Sequence, residues 1–231
     1  MEVYNFKCKV ITPMFCGGVT GKEAEIRASS IKGLMRFWWR AYNYPLLGYD
    51  LQTLREREAQ IFGSTEKGLE GKSSFSILVS EDKIQKCKDP LPKDDNLFYK
   101  QYISRINREI ALNILDYLSF GTYKYENRQN IMIKEYIKVN GEFSIKLIIH
   151  NIDDIDDILT SFGLVYYFGG IGAKHRNGFG RFNIIEFPKK EAVKKINSFN
   201  TVIEKLKSVK EKRTAQQVEF LSFSSRENNS F

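Results

Sequence analysis

Alternation of apolar and polar residues predicts strands in several parts of the chain. From Glu2 to Ile11 every second side chain is apolar, and a period of two places these side chains on one face of a half-buried strand. The same alternation predicts a strand over Ser74–Ser80. Asn130–Val139 and Gly141–His150 are both β-like and meet at an Asn-Gly dipeptide, which predicts a hairpin. A last strand is predicted over Arg181–Phe187.

A period of three to four residues replaces this alternation over Ile31–Asn43 and predicts an amphipathic helix. Ser29 or Ser30 is the expected N-cap, because a serine hydroxyl can accept a hydrogen bond from a free N–H of the first turn. This spacing leaves Trp39 nearer the surface. The predicted core face consists of Ile31, Leu34, Met35, Trp38 and Tyr42.

Three further stretches show helical spacing, namely Leu51–Phe62, Phe98–Leu118 and Ile152–Tyr167. Beyond Pro188 the sequence becomes strongly basic, and its apolar residues again recur at helical spacing. A basic amphipathic helix is therefore predicted there, followed by a strand-like segment at Val218–Ser225.

The order of these elements predicts an α+β fold with a ferredoxin-like, split βαβ core and inserted helices. The predicted core domain covers residues 1–187 and carries a helical insertion around residues 81–128. Residues 188–231 are predicted to form the basic C-terminal helix and tail.

The composition limits the classes of function that this chain can have. The 231 residues carry a formal net charge of +8 and a pI near 9.2, a balance that suits a polyanionic partner. Three cysteines without CxxC spacing and only two histidines give no signal for a disulfide framework or a metal site. No N-terminal signal and no long apolar run is present, so we expect a cytoplasmic protein without a cofactor or a membrane partner.

The densest cluster of unusual residues is the glycine loop, residues 168–182, which reads FGGIGAKHRNGFGRF. Its backbone N–H groups could form an anion-binding concavity rimmed by cations, although a flexible connector with solvated charges has a similar composition. The sequence matches neither a phosphate-binding GxxxxGK[ST] motif nor a GxGxxG fingerprint. The loop contains Gly169, Gly170, Gly172, Lys174, His175, Arg176, Gly178, Gly180 and Arg181.

A second cluster of positive charge lies on the first predicted helix. Lys32, Arg36 and Arg40 recur at every fourth position and form one row, here called the basic stripe. Such a row is often only a solvated helix face. The neighbouring Phe37 and Trp39 make a nucleic-acid contact more plausible, because aromatic rings beside cations can stack on bases.

Two blocks of the sequence together resemble the RAMP (repeat-associated mysterious protein) superfamily of CRISPR proteins. One is TPMFCGG followed by IRASSIKGLMRFWWRA, within Thr12–Ala41, and the other is the glycine loop. The combination looks like the first RAMP subunit of the Cmr, or type III-B, RNA-targeting effector complex. The resemblance covers residues 2–187. Members of this superfamily are commonly longer, so the chain is interpreted as a truncated or split form, or as one that exchanges its last segment with a partner.

This resemblance implies a ferredoxin-like fold and a non-catalytic RNA-binding role in antiviral defence. The implied partners are guide RNA, target RNA and the other RAMP subunits of the Cmr complex. The RNA-binding positions that carry over are Arg27, Lys32, Arg36, Arg40, Gly170, Gly172, Lys174, His175, Arg176 and Arg181.

Two kinds of RNA cleavage are alternatives to simple binding. Metal-assisted cleavage of the target is disfavoured, because Thr12–Asn43 contains no aspartate that could hold a metal ion. The alternative is a metal-independent endoribonuclease that processes guide RNA with His175 as its general acid or base.

Overall fold

The computed structural model describes residues 1–18, 21, 23–92, 98–126, 129–188, 196 and 203–211. The named strands are Glu2–Val10 (β1), Phe75–Lys83 (β2), Lys86–Cys87 (β3), Phe98–Ile103 (β4), Arg108–Asn113 (β5), Tyr123–Glu126 (β6), Gln129–Met132 (β7), Tyr136–Ile137 (β8), Glu142–Ile149 (β9) and Phe182–Glu186 (β10). The named helices are Ala28–Leu46 (α1), Leu51–Phe62 (α2), Ile114–Leu118 (α3) and Ile155–Phe168 (α4).

The main sheet has four antiparallel strands in the order β10-β1-β9-β2. The chain runs from β1 through α1 and α2 to β2, and later from β9 through α4 to β10. Each connection joins two parallel strands that enclose a third, β9 in the first case and β1 in the second. Two interlocked units of this kind make the ferredoxin-like fold. The α+β, ferredoxin-like prediction is thus confirmed.

Helices α1 and α4 cover one face of the sheet and form the core with it. The aromatic rings of Phe6 in β1 and Phe162 in α4 have centroids 4.8 Å apart. In β1 and β9 the buried side chains alternate with more exposed ones, as the sequence pattern predicts. The opposite face of the sheet carries residues such as Lys9 and Lys146, and no described helix covers it.

The first helix differs from its prediction at both its start and its buried face. It begins at Ala28, after Arg27, and no side chain caps it, so the predicted serine caps are wrong. Its buried face consists of Ile31, Met35 and Trp39. Trp39 is 1% exposed whereas Trp38 is only partly buried, so the two tryptophans have the reverse of the predicted assignment.

The insertion differs most from the sequence prediction. Phe98–Leu118 was predicted to be helical, but β4 and β5 form an antiparallel hairpin from Phe98↔Asn113 to Ile103↔Arg108. Asn107 ends the hairpin turn in a left-handed conformation, with φ 48°. The β-forming residues of β4 outweigh the isoleucine spacing that suggested a helix. Only the short helix α3 follows, and β6 and β7 then form a second hairpin.

The predicted hairpin at Asn140 and Gly141 is also wrong in its pairing. Asn140 does adopt a left-handed turn, with φ 67°. However, β8 pairs with β3, whereas β9 pairs with β1 and β2 in the main sheet. The tight turn therefore joins two sheets rather than two neighbouring strands.

The C-terminal region is described only in part. Residues 203–211 are helical, in agreement with the predicted basic helix. Ile196 is buried, and its backbone packs closely against Gly163 of α4. A Cβ added at Gly163 would lie 3.0 Å from the Ile196 carbonyl oxygen. The strand-like segment at Val218–Ser225 lies outside the described residues. The domain boundary at residue 187 stays a prediction.

Candidate nucleic-acid interface

The glycine loop folds back on itself immediately after α4. Gly180 has a φ of 72°, and a Cβ at this position would lie 2.1 Å from the carbonyl oxygen of Ile171. Gly172 has a φ of 95°, and a Cβ there would lie 2.5 Å from the carbonyl oxygen of Phe15. Both positions need glycine, since they combine a left-handed conformation with close backbone approach. These glycines bring the loop against the protein itself.

The segment that touches the loop is the other block identified in the sequence, residues 12–18. The backbone N–H of Ala173 donates to Phe15 O at 2.8 Å, and Gly180 N–H donates to Pro13 O at 2.9 Å. The Thr12 hydroxyl donates to Gly178 O at 2.8 Å and accepts from Arg181 N–H at 2.9 Å. The two glycine-containing segments therefore lie side by side and fix one another.

Three basic side chains project from the turn at residues 174–176. Lys174 is in a left-handed conformation, with φ 62°, and the turn that follows it exposes Arg176. His175 lies with Nδ1 3.0 Å from Gly172 O, so this nitrogen carries the proton and Nε2 remains available to a ligand. Within the described part of the chain, Lys174 and Arg176 have no carboxylate partner. Their charges are therefore available to an anion.

Arg181 has a different position from the other cations of the loop. Its guanidinium donates to the carbonyl oxygens of Gly169 and of Tyr167, the latter at 2.9 Å. These carbonyls lie at the C-terminal end of α4, where backbone acceptors have no partner within the helix. Arg181 thus stabilises the junction between α4 and the loop through two of its N–H donors.

The N-terminus of α1 borders the glycine loop. Ser30 and Leu34 of α1 line a cleft of about 340 Å³ together with Gly172, Ala173 and Lys134. We call this the loop cleft. The first turn of α1 holds no acidic residue and no side-chain cap, so the helix itself does not neutralise the partial positive charge of its end. The carboxylate of Glu135 also lines the cleft, where it accepts from Ala24 N–H at 2.7 Å. Arg27 stands directly before this turn and is half-buried.

The basic stripe lies in a second groove, between α1 and α2. Arg36 donates to Phe62 O at 3.2 Å and to Gly63 O at 2.8 Å, and its Nε lies 3.3 Å from a carboxylate oxygen of Glu58. The Nε of Arg40 lies 3.5 Å from the other oxygen of Glu58. We call the groove between α1 and α2 the helix groove. Two of the three stripe residues therefore share one carboxylate.

Lys32 is the stripe residue without a carboxylate partner in the described part of the chain. Its Nζ lies 5.0 Å from the ring centroid of Phe75, which places the ammonium over the aromatic face. Burial lowers the pKa of Lys32, and the nearby charge of Arg36 lowers it further. An anion in the helix groove would raise the pKa of Lys32 and so offset both effects.

The two basic regions do not form one surface. At about 100° per residue, Ser30 and Leu34 fall on one flank of the buried face of α1, and the basic stripe falls on the other. The loop cleft and the helix groove accordingly have no lining residue in common. The helix end approaches the glycine loop, as the split βαβ topology suggested, but the basic stripe does not.

An exposed aromatic cluster lies between α1 and the start of the glycine loop. The rings of Phe37 and Trp38 have centroids 5.5 Å apart, and those of Trp38 and Phe168 are 5.9 Å apart. Phe37 is 49% exposed and Phe168 is 50% exposed. We call these three residues the aromatic shelf. Sequence reasoning missed Phe168, because only the packing of α1 on the end of α4 brings it beside the first helix.

The described residues show neither a metal site nor a membrane span. No three His, Cys, Asp or Glu side chains among them are grouped so as to hold a metal ion. Cys8, Cys16 and Cys87 are all buried thiols, and burial raises the pKa of Cys16 to about 12. None of the described helices is long and apolar enough to cross a bilayer.

Known proteins resemble this chain in sequence. The chain is 29% identical to the CRISPR system Cmr subunit Cmr1-2 of Pyrococcus furiosus over 187 residues, which are 78% of this chain and 93% of that protein. It is 38% identical to subunit Cmr1-1 of the same organism over 85 residues, which are 36% of this chain and 25% of that protein.

Two solved structures share the fold. One is the crystal structure of apo Cmr1 from Pyrococcus furiosus, with a TM-score of 0.55 and 23% identity over 90% of this chain and 59% of that one. The other is a cryo-EM structure of the type III-B Cmr-beta complex bound to cognate target RNA and AMPPnP, with a TM-score of 0.51 and 19% identity over 90% and 62% of the two chains. The chain spans less than two thirds of either solved chain.

The chain also matches a protein family over most of its length. Residues 7–183 match the RAMP superfamily, a stretch that begins within β1 and ends within β10. The matched stretch contains both sequence blocks, the whole insertion and the loop cleft. The chain belongs to the RAMP superfamily.

Proposed function

We propose that this chain is a subunit of a type III-B CRISPR (Cmr) effector complex that binds guide or target RNA without cleaving it. Its sequence similarity to Cmr1-2 supports membership of the complex. The observation that carries RNA binding is the loop cleft, where the uncapped start of α1 meets Gly172 and Ala173, directly before the cations Lys174 and Arg176 in the chain. A helix N-terminus favours phosphate over most other ligands, because its first N–H groups have no partner within the helix and its dipole attracts negative charge.

The residues in and beside this cleft have different proposed roles. Lys134, Lys174 and Arg176 contact phosphate directly, and Arg27 adds positive charge beside the cleft. His175 contributes Nε2 as a hydrogen-bonding group. Gly170 and Gly172 allow the backbone to adopt the shape that presents these side chains, and Arg181 holds the loop on α4.

The aromatic shelf supplies a surface for bases. Trp38 packs against Gly169, so the shelf adjoins the loop that we propose to bind phosphate. Base stacking on aromatic rings tolerates different sequences, because every base has a π-face. Phosphate contacts at the loop and stacking on Phe37 would together produce binding with little sequence preference.

The helix groove is proposed as a secondary RNA contact. Lys32 and Arg40 are its proposed ligands, since Lys32 has no carboxylate partner among the described residues and Arg40 shares Glu58 with Arg36. Arg36 is held by two backbone carbonyls and Glu58, so its proposed role is to shape the groove. Because this groove lies on the other flank of α1, it would contact a different segment of RNA from the loop cleft.

RNA binding should weaken strongly as salt rises. Each neutralised phosphate of a single strand contributes about −0.7 to the slope of log affinity against log salt. With three contacts, from Lys134, Lys174 and Arg176, the affinity should fall about 20-fold between about 50 mM and 200 mM salt. A fluorescence-anisotropy titration with single-stranded RNA measures this slope. A slope near zero would contradict a phosphate-binding cleft.

We expect no metal-independent cleavage of RNA by this chain. His175 has one ring nitrogen engaged by Gly172 O, and general acid–base cleavage needs groups to both remove and supply a proton. Guide-repeat RNA should therefore remain intact in EDTA with the wild-type protein, and His175→Ala should weaken binding about tenfold or less. Cleavage at one site in EDTA, abolished by His175→Ala, would establish the ribonuclease alternative instead.

A further inference from the structure

The hairpin of β4 and β5, here called the arm, has almost no packing against the rest of the protein. Five of the six residues of β4 are exposed, so the strand is solvated on both of its faces. In the described part of the chain, β4 and β5 pair only with each other. An isolated two-stranded hairpin is marginally stable in water, which implies that something else covers this one when the protein works.

The arm exposes large apolar side chains. Tyr99 is 53% exposed, Tyr102 is 58% exposed and Ile106, at the tip, is 54% exposed. The ring of Tyr99 lies 6.2 Å from that of Tyr117 in α3, which extends the patch towards the base of the arm. The base is fixed, because the buried Asn113 side chain accepts from Leu115 N–H at 3.0 Å and so caps α3. Because Tyr99 and Tyr102 are three residues apart in β4, their side chains lie on opposite faces, so the arm exposes aromatic surface on both faces above an anchored base.

The charge of this region does not suit a polyanion. Residues 98–126 contain four Lys or Arg and three Asp or Glu, so they contribute one unit to a chain that carries +8. Binding to a nucleic-acid backbone depends on many cations. A nearly neutral surface rich in tyrosine and aliphatic residues instead has the composition of the core of a protein–protein interface.

The edges of the arm indicate the form of the partner. The outer edge of β4 leaves backbone N–H and C=O groups unpaired among the described residues, at the spacing that another strand requires. An extended protein segment can add to such an edge through main-chain hydrogen bonds, with alternate side chains meeting the exposed tyrosines. RNA cannot satisfy that row of backbone groups in the same way.

We propose that the arm docks on a neighbouring protein subunit of the effector complex, with an extended segment of that subunit added along β4. This inference rests on the proposed function, because it assumes a complex with further protein subunits. It assigns assembly to the arm and RNA binding to the loop cleft, two surfaces that share no residue.

The test reconstitutes the full chain with guide RNA and the other protein subunits of its own complex. Tyr99→Ser/Tyr102→Ser should reduce incorporation about tenfold or more, because exposed tyrosines at such interfaces are frequent hot spots. Leu51→Ser/Ile152→Ser is the matched control, since it removes two exposed apolar side chains far from the arm and should leave incorporation unchanged. Native mass spectrometry measures the incorporated fraction.

Two further readouts separate the possible outcomes. The arm variant should retain wild-type affinity for single-stranded RNA as an isolated chain, and amide exchange in β4 should slow on assembly but not on RNA binding alone. Normal incorporation of the arm variant, with β4 still unprotected, would overturn the docking proposal and leave the proposed function standing. Lost RNA affinity with RNA-dependent protection of β4 would identify RNA as the occupant. A wild-type chain that neither assembles nor binds RNA would overturn both proposals.

Discussion

Gly180→Ala should destabilise the protein by about 3 kcal/mol or more. Any non-glycine residue pays roughly 1–2 kcal/mol for the left-handed conformation that Gly180 adopts, with φ 72°. The added methyl group would in addition meet the Ile171 carbonyl oxygen at 2.1 Å, so the backbone of the loop must shift. For a chain of this size the melting temperature should fall roughly 6–12 °C.

Gly178 provides the matched control for this substitution. It also has a positive φ, 89°, but a Cβ at Gly178 would have no neighbour within 4 Å. Gly178→Ala should therefore pay only the conformational cost, about 1 kcal/mol. Thermal unfolding of the two variants measures the difference. Equal destabilisation would mean that close approach to Ile171 does not determine the shape of the loop.

Trp39→Ala should cost about 3–5 kcal/mol of folding free energy. The Trp39 side chain is fully buried beneath α1, and its ring centroid lies 6.0 Å from that of Phe62 in α2. Trp38→Ala should cost about half as much, because the Trp38 ring is partly exposed on the aromatic shelf.

The same pair of variants should separate stability from RNA binding. Trp38→Ala removes the middle ring of the aromatic shelf, so it should weaken RNA binding in a protein that remains folded. Trp39→Ala should shift the urea midpoint most and change RNA affinity least among the folded molecules. A larger loss of stability from Trp38→Ala would contradict the assignment of Trp39 to the core.

The sequence predicted the ferredoxin-like core well because the residue pattern of its strands directly reflects which side chains are buried. β1 has one buried and one solvated face, so alternation alone identifies it. The same reasoning failed for α1, which packs on both the sheet and α4. Its apolar stripe is consequently broad, and residue spacing could not decide which of Trp38 and Trp39 lies at the centre.

The insertion was mispredicted because it buries little. The isoleucines of Phe98–Leu118 fit a helical period, but β4 is exposed on both faces and therefore carries no alternation that would identify it as a strand. Spacing arguments assume that apolar residues face a core within the same chain. An arm whose first strand is exposed on both faces does not meet that assumption.

The candidate site was predicted in composition but not in arrangement. The sequence identified the glycines and cations of the loop, yet it could not show that Gly172 and Gly180 approach the protein's own backbone. It could not show either that Arg181 donates to the end of α4, since those carbonyls become partners only in the folded chain. The uncapped start of α1 was hidden by two adjacent serines that do not act as caps.

The most direct test of RNA binding by the loop cleft is the double variant Lys174→Ala/Arg176→Ala. Its control is Lys9→Ala/Lys146→Ala, which removes the same charge from the opposite face of the sheet. The loop variant should bind single-stranded RNA at least about tenfold more weakly, and its salt slope should be smaller by about 1.4, since two phosphate contacts are lost. The control should keep the wild-type slope. Equal losses from both variants, or an unchanged slope for the loop variant, would contradict binding at this cleft.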